Sequence, residues 1–426
     1  MASITYRGLW RWHFHAGLLC IPFVLVLALT GSVFLFKPQI DAFADRAVDS
    51  LSLTASRATG EQHIAAALVS LPGSTLFAYE VPPEPDDAVR VHLYSQDGVG
   101  HIVYVHPESL AVLKTVAHTS RFTEIVRMIH SELLVGRTGS LLVELAASWA
   151  VVMLITGLYL WWPRERRGLA GVMWPRLRQG RRVFWRDVHA VTGIWIACFA
   201  LFLLVTALPW TTIAGEGIGK IRAWVAAQPR DWASSSAQQH AEHRRLAAAG
   251  SVATRLTVDD VVARIAPLAL EPPVRLYLPN ERQTFWRVRS ETQNRPKVRE
   301  LELDPETGAL LREHPFAAKS TFDKAIHIGI AAHEGQLFGV ANQLLGLFTA
   351  LGLVAMCVSA IVMWWRRRPE GDLGVPASRV AGFRIHAGLK VAIVALGLTL
   401  PMLGIALVVL WIVDRIGRIT PRRATS

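Results

Sequence analysis

Five apolar runs, at 18–36, 141–162, 194–213, 337–365 and 389–413, restrict this chain to folds that a bilayer can hold. Each is near or above the roughly 20 residues that a helix needs to cross a hydrocarbon core. A backbone that crosses must also close its hydrogen bonds within the protein, which favours helices here. Of 426 residues, 52% are hydrophobic and 18% charged, a balance suited to lipid rather than water. The formal charge is +12, from 45 Lys and Arg against 33 Asp and Glu. Eight arginines between 164 and 186, and Arg366, Arg367 and Arg368, lie in short loops beside the runs. This is the positive-inside pattern, so the basic excess reports topology beside lipid, and no nucleic-acid partner is expected.

Cys20, Cys198 and Cys357 lie inside or beside apolar residues, and the sequence has no CxxC or CxxCH. Covalent haem attachment and thiolate metal sites are thereby set aside, leaving histidine or oxygen ligands for any metal.

Lys37, Pro38 and Gln39 follow the first run where a signal peptide would have small residues, so the run reads as an uncleaved anchor with a cytoplasmic N-terminus. Trp161, Trp162, Trp364 and Trp365 close two runs just before arginines and mark cytoplasmic ends. The expected order is transmembrane helix 1 at 1–37, an outer module at 38–128, helix 2 at 129–163, a basic cytoplasmic loop at 164–186 and helix 3 at 187–213. A second outer module at 214–325, helix 4 at 326–366, a cytoplasmic loop at 367–383, helix 5 at 384–413 and a basic tail at 414–426 follow. Five crossings leave Arg415, Arg418, Arg422 and Arg423 outside, against the positive-inside rule. Pro401 interrupts the last run, which is too short for two ordinary spans. Both outer segments join an apolar helical stretch to alternating pieces at 90–94, 101–105, 284–288 and 298–303, predicting two small α+β modules. The Ala-, Gln- and Ser-rich stretch at 234–251 reads as a surface helix or a loose linker.

An internal repeat singles out histidines. Val105-His106-Pro107-Glu108-Ser109 parallels Leu303-Asp304-Pro305-Glu306-Thr307, each before a long helix. His130 precedes Gly136 by 6 and Trp161 by 31, and His333 precedes Gly339 and Trp364 by the same 6 and 31. His13 precedes Gly17 by 4 and Thr30 by 17, and His189 precedes Gly193 and Thr206 by the same 4 and 17. An unbroken helix of that 31-residue length would span about 46 Å, placing His130 and His333 at the outer face and His13 and His189 at the inner. Gly17 and Gly193 would leave room on the same helix face for a flat macrocycle.

Imidazole is an axial ligand of haem iron, and facing helices hold cofactors in bundle cores. The four histidines therefore predict two b-type haems, one per face, with Arg11 and Arg186 inside and Arg127 and Arg137 outside as partners for propionates. His15, His327 and His386 are rivals with a structural or supporting role. His92, His101 and His106 fall on strand-like segments and read as solvated strand positions rather than ligands of a metal or substrate. Gly215, Gly217, Gly219 and Lys220 are followed by Ile221 where a phosphate loop needs Ser or Thr, and read as a helix exit.

Trp10-Arg11-Trp12-His13-Phe14, Val143-Glu144-Leu145-Ala146-Ala147-Ser148-Trp149 leading to Thr156-Gly157-Leu158-Tyr159-Leu160-Trp161-Trp162-Pro163, Trp185-Arg186-Asp187-Val188-His189, and His333-Glu334-Gly335-Gln336-Leu337-Phe338-Gly339 form a specific set. With them the chain resembles the PepSY-associated transmembrane family, which includes iron-regulated membrane proteins and ferric-siderophore reductases of bacteria. The resemblance implies a multi-pass protein of the bacterial cytoplasmic membrane with PepSY modules outside and, as in the reductase members, b haems on helix histidines. It favours His13, His130, His189 and His333 as ligands and leaves His386 and His327 as rivals. His15 departs from the aromatic Tyr usual there, which leaves the inner ligand choice open.

The expected fold is thus a helical membrane bundle of about five spans with an internal two-fold repeat and two PepSY-like modules. The expected activity is reduction of a ferric siderophore or other Fe(III) chelate at the outer face, with a quinol or cytoplasmic reductase as donor. The alternatives are a quinol-linked b-type cytochrome subunit of another periplasmic reductase and a haem-free PepSY sensor or assembly protein.

Overall fold

A computed structural model describes residues 2–162, 168–226, 255–368 and 387–419. His386, Arg422, Arg423 and the stretch at 234–251 lie outside the described residues. The chain divides into a helical unit of residues 1–32, 128–221 and 344–426, and a sheet unit of residues 33–127 and 222–343.

In the helical unit, four helices have the length and composition to cross a membrane: Gly8–Phe34, Gly136–Trp161, Gly180–Trp210 and Val340–Trp365. They belong to α1 (Ala2–Phe34), which α2 (Lys37–Asp45) follows in the chain, α5 (Gly136–Trp161), α6 (Gly180–Ala207, with a short 3-10 turn after it) and α10 (Val340–Trp365). Two breaks correct the expected 31-residue helices. Helix α4 (Phe122–Glu132) carries His130 and stops before α5, while α9 (Thr321–His333) ends on His333 before α10. Gly136 and Gly339 stand at φ +61° and +59° at the starts of α5 and α10, in the left-handed region that ends a helical hydrogen-bond ladder. The expected fifth span is also two helices, α11 (Ala387–Thr399) and α12 (Pro401–Ile419), separated at Leu400. Proline cannot donate to the preceding turn, and Gly397 and Gly404 let the two backbones meet, since a Cβ on Gly404 would lie 2.5 Å from the Gly397 carbonyl oxygen. Leu400 and Leu403 are buried with Ala16, Cys20 and Trp149, so this break packs on α1 and α5.

Helix α7 (Ile213–Ala226) starts on a side chain from α5. Glu144 is 2% exposed, and its carboxylate accepts from the backbone N–H groups of Ile213 and Ala214 at 2.9 and 3.0 Å. Those amides would otherwise lack partners at the helix start, where the dipole favours a negative charge.

The sheet unit carries eight antiparallel strands in the order β4-β3-β2-β1-β5-β6-β7-β8. They are β1 (Thr75–Val81), β2 (Val89–Tyr94), β3 (Gly100–Val105), β4 (Val112–Ala117), β5 (Val274–Tyr277), β6 (Trp286–Ser290), β7 (Arg299–Leu303) and β8 (Leu310–Pro315). The two expected modules therefore share one sheet, joined where Glu80 pairs with Arg275 across β1 and β5. Helices α3 (Gly60–Ser70) and α8 (Val258–Ile265) cover one face, burying Ile64, Ala67, Val261 and Ile265 on Val91, Leu276, Trp286 and Leu301. Burial of each Val, Ile or Leu among these contributes roughly 1.5–3 kcal/mol. The helices also cap one another: Glu61 accepts from the Val258 amide and Asp259 from the Gly60 amide. A Cβ on Gly60 would lie 2.4 Å from Val258, so only glycine allows this approach.

The other face carries a small apolar cluster around Ile102 and, across it, a polar row. Register places Lys114, Tyr104, Arg90, Glu80, Arg275, Arg289, Glu300 and His314 in one row from edge to edge.

Candidate functional site

Helices α1 and α6 bring His13 and His189 together, with ring centroids 6.4 Å apart and ring planes at 85°. Two imidazoles sharing one metal place their centres roughly 6 Å apart, given about 2 Å per metal–nitrogen bond and about 1 Å from nitrogen to ring centre. The observed spacing fits that requirement.

Hydrogen bonds decide which ring nitrogen is free. The Thr156 hydroxyl lies 2.8 Å from the Val152 carbonyl, to which it donates its one hydrogen, so the contact of 3.0 Å to His13 Nδ1 has the ring N–H as donor. His189 Nδ1 lies 3.1 Å from the Met356 carbonyl, which only accepts, and 3.2 Å from the Ser359 hydroxyl. The Thr30 hydroxyl donates to Val26 at 2.6 Å and receives from His130 Nδ1 at 3.0 Å. All three histidines are thus Nδ1–H tautomers with the lone pair on Nε2, the arrangement that second partners impose on metal-binding imidazoles.

Thr156 and Ser359 are 203 residues apart, the same offset that relates His130 to His333. That spacing is a signal the sequence holds, but only packing shows their contacts with the rings. The glycines behave differently from expectation. Gly17 and Gly193 face methionines, with a Cβ meeting Met153 Cε at 3.4 Å and Met356 Cε at 3.3 Å. Room for imidazole comes from the opposite helices instead: a Cβ on Gly157 would lie 3.2 Å from His13 Cε1, and one on Gly31 would lie 3.2 Å from His130 Cε1. Small residues matter where a ring abuts the backbone, and here the flexible methionines fill the other gaps.

His333 closes α9 within the sheet unit, and Gly335 follows at φ +74°. His327, six residues earlier, faces Phe316 at 6.4 Å, and burial, then Lys319, lowers its pKa to about 4. His15 is exposed and turns Nδ1 back on the Arg11 carbonyl at 2.7 Å. Among the arginines expected at propionates, Arg186 pairs with Asp187 at 2.8 Å, Arg127 with Glu124 at 2.7 Å, and Arg137 lies 3.9 Å from Glu216. Arg11 carries the carbonyl that holds His15. Asp187, 1% exposed, also binds Arg176 at 2.7 Å, which fixes the loop before α6.

His92 lies on β2 and His101 on β3, and His106 begins the turn just past β3. His106 Nδ1 accepts from the Glu108 and Ser109 amides, both at 3.2 Å, as Asp304 does from the Glu306 and Thr307 amides in the matching turn. His101 lies 3.0 Å from its neighbour's carbonyl, Val99. His92, expected to be solvated, is buried instead, where its Nε2–H donates to Glu80 at 2.8 Å and so keeps a partner away from water. Among the described residues, no cluster of three or more His, Cys, Asp or Glu side chains is placed to hold a metal by itself.

A family model for the PepSY-associated TM region matches residues 10–367. The chain belongs to that family. A search of curated proteins returns no match. This PepSY-associated protein is a multi-pass membrane protein with an antiparallel sheet module, and the residue pair at 6.4 Å lies inside the matched region.

Proposed function

We propose that this protein holds two b haems and passes electrons across the bacterial cytoplasmic membrane to a ferric siderophore at the periplasmic face. The observation that carries the reading is the His13–His189 pair, spaced at 6.4 Å with each Nδ1 tied to another helix. Bound haem iron supplies one-electron chemistry. His13 and His189 would hold one group, each through Nε2; the repeat spacing assigns His130 and His333 to the other. Thr156, Thr30, Ser359 and the Met356 carbonyl keep the rings oriented and Nδ1 protonated. A quinol oxidised to quinone releases two electrons and two protons, enough for two ferric ions; a separate cytoplasmic reductase is the other class of donor. Hard oxygen ligands grip Fe(III) better than Fe(II), so one electron per iron loosens the chelate.

The direct test is pyridine haemochrome quantification on the detergent-purified protein, followed by anaerobic mixing of the dithionite-reduced form with ferric siderophores. About two b haems per chain, and reoxidation by the chelate, are expected. Two haems without reoxidation favour a cytochrome subunit of another reductase, and no haem after expression with ample haem favours a sensor or assembly protein.

Thr156→Val removes the hydroxyl acceptor from His13. Loss of such a supporting partner weakens metal binding by roughly 10–100-fold, so an external haem scavenger is expected to strip one haem faster from this variant than from wild type.

A further inference from the structure

Arg275 and Arg289 sit directly opposite each other on β5 and β6. Like charges at that spacing repel. Arg275 is answered by Glu80, which accepts from its Nε at 3.0 Å. Arg289 is not answered as well: its Nε is 3.5 Å from Glu291 and 3.8 Å from Glu300, and makes no hydrogen bond. The Nε of Arg287, on the same face and stacked 4.4 Å over Tyr277, is also buried without a hydrogen-bond partner. So is the Nε of Arg295 just beyond β6.

Buried polar atoms without partners are rare and point to a missing water, ion or ligand. Three guanidinium donors within nine residues of chain need an acceptor, and three cations favour an anionic one. Arg295 lies 3.7 Å from Glu334, the residue after His333. Glu334 also has a buried Oε2 with no hydrogen-bond partner.

We propose that Arg287, Arg289 and Arg295 bind a ferric chelate of net negative charge that presents carboxylate oxygens. The proposal rests on the reductase reading and specifies its substrate class. Guanidinium forks match carboxylates in two-point contacts, and the Arg295–Glu334 link brings the site to the His333 end of α9.

The test is titration calorimetry on the full-length protein in detergent with two Ga(III) complexes, citrate (anionic) and a cationic trihydroxamate. Ga(III) is inert to one-electron reduction, so binding is read apart from electron transfer. The citrate complex is expected to bind at least about tenfold more tightly than the cationic one, and Arg289→Gln and Arg295→Gln each to weaken it about tenfold, with circular dichroism and haem content unchanged. Equal binding of the two complexes by wild-type protein overturns the proposal, whatever the variants do; so does a preference that neither folded variant reduces. Haem-free protein that prefers the anionic complex would sink the reductase reading and leave the anion site standing. Haem-loaded protein that reduces ferric chelates without charge preference would do the reverse.

Discussion

His13→Ala and His189→Ala are each expected to lower the haem content of the purified protein from about two b haems per chain to about one. The two rings stand 6.4 Å apart and are fixed through Nδ1 to different helices, so either loss leaves one side of the same group without its ligand. The double variant is therefore expected to lose no more than either single one. Residues that act as one unit are not additive, and that non-additivity separates shared ligation from two unrelated losses. His15→Ala serves as the control, because its ring is exposed and bonded within its own helix. Pyridine haemochrome counts on the four proteins decide the matter. Unchanged haem content in both single variants would remove the pair from the ligand set.

Glu80→Ala is expected to destabilise the sheet unit by about 3–5 kcal/mol, the usual cost of stranding a buried charge by removing its partner. Glu80 is 7% exposed and receives hydrogen bonds from Arg275 at 3.0 Å and His92 at 2.8 Å, at the junction where β1 meets β5. Burial by itself would raise the Glu80 carboxyl, but Arg275 and then His92 hold it well below the usual carboxylate range. A carboxyl lowered in the folded state contributes stability above its unfolded value of 4.5, and that stability is lost as pH falls through the folded value. His92 is lowered by burial and then by Arg275, so acid pH also works against the fold as the solution falls below its unfolded value of 6.5. Both groups give the same sign: the β1–β5 junction loosens on acidification. Hydrogen exchange at β1 and β5 amides reads both effects. Glu80→Ala protection that matches wild type at neutral pH would show that the pair adds nothing to the junction.

Much of the helical unit was legible because apolar length and tryptophan–arginine ends are local properties. The equal spacings around His13 and His189, and around His130 and His333, likewise lie in the linear order of residues. The matching turns at His106 and Asp304 were readable for the same reason, since each is closed by a side chain acting two or three residues away. The helix breaks were not read, although Gly136 and Gly339 were seen, because a glycine permits positive φ without requiring it.

By itself, then, the sequence determined a membrane chain with paired histidines and strand-bearing segments. Tertiary structure alone decided that those segments form one sheet, because the Arg275–Glu80 bond joins residues 195 positions apart and leaves no local periodicity. It also decided the tautomers: Nδ1 of His13 and of His189 is fixed by groups 143 and 167 residues away, and hydrogen bonds over such separations exist only once the helices have packed.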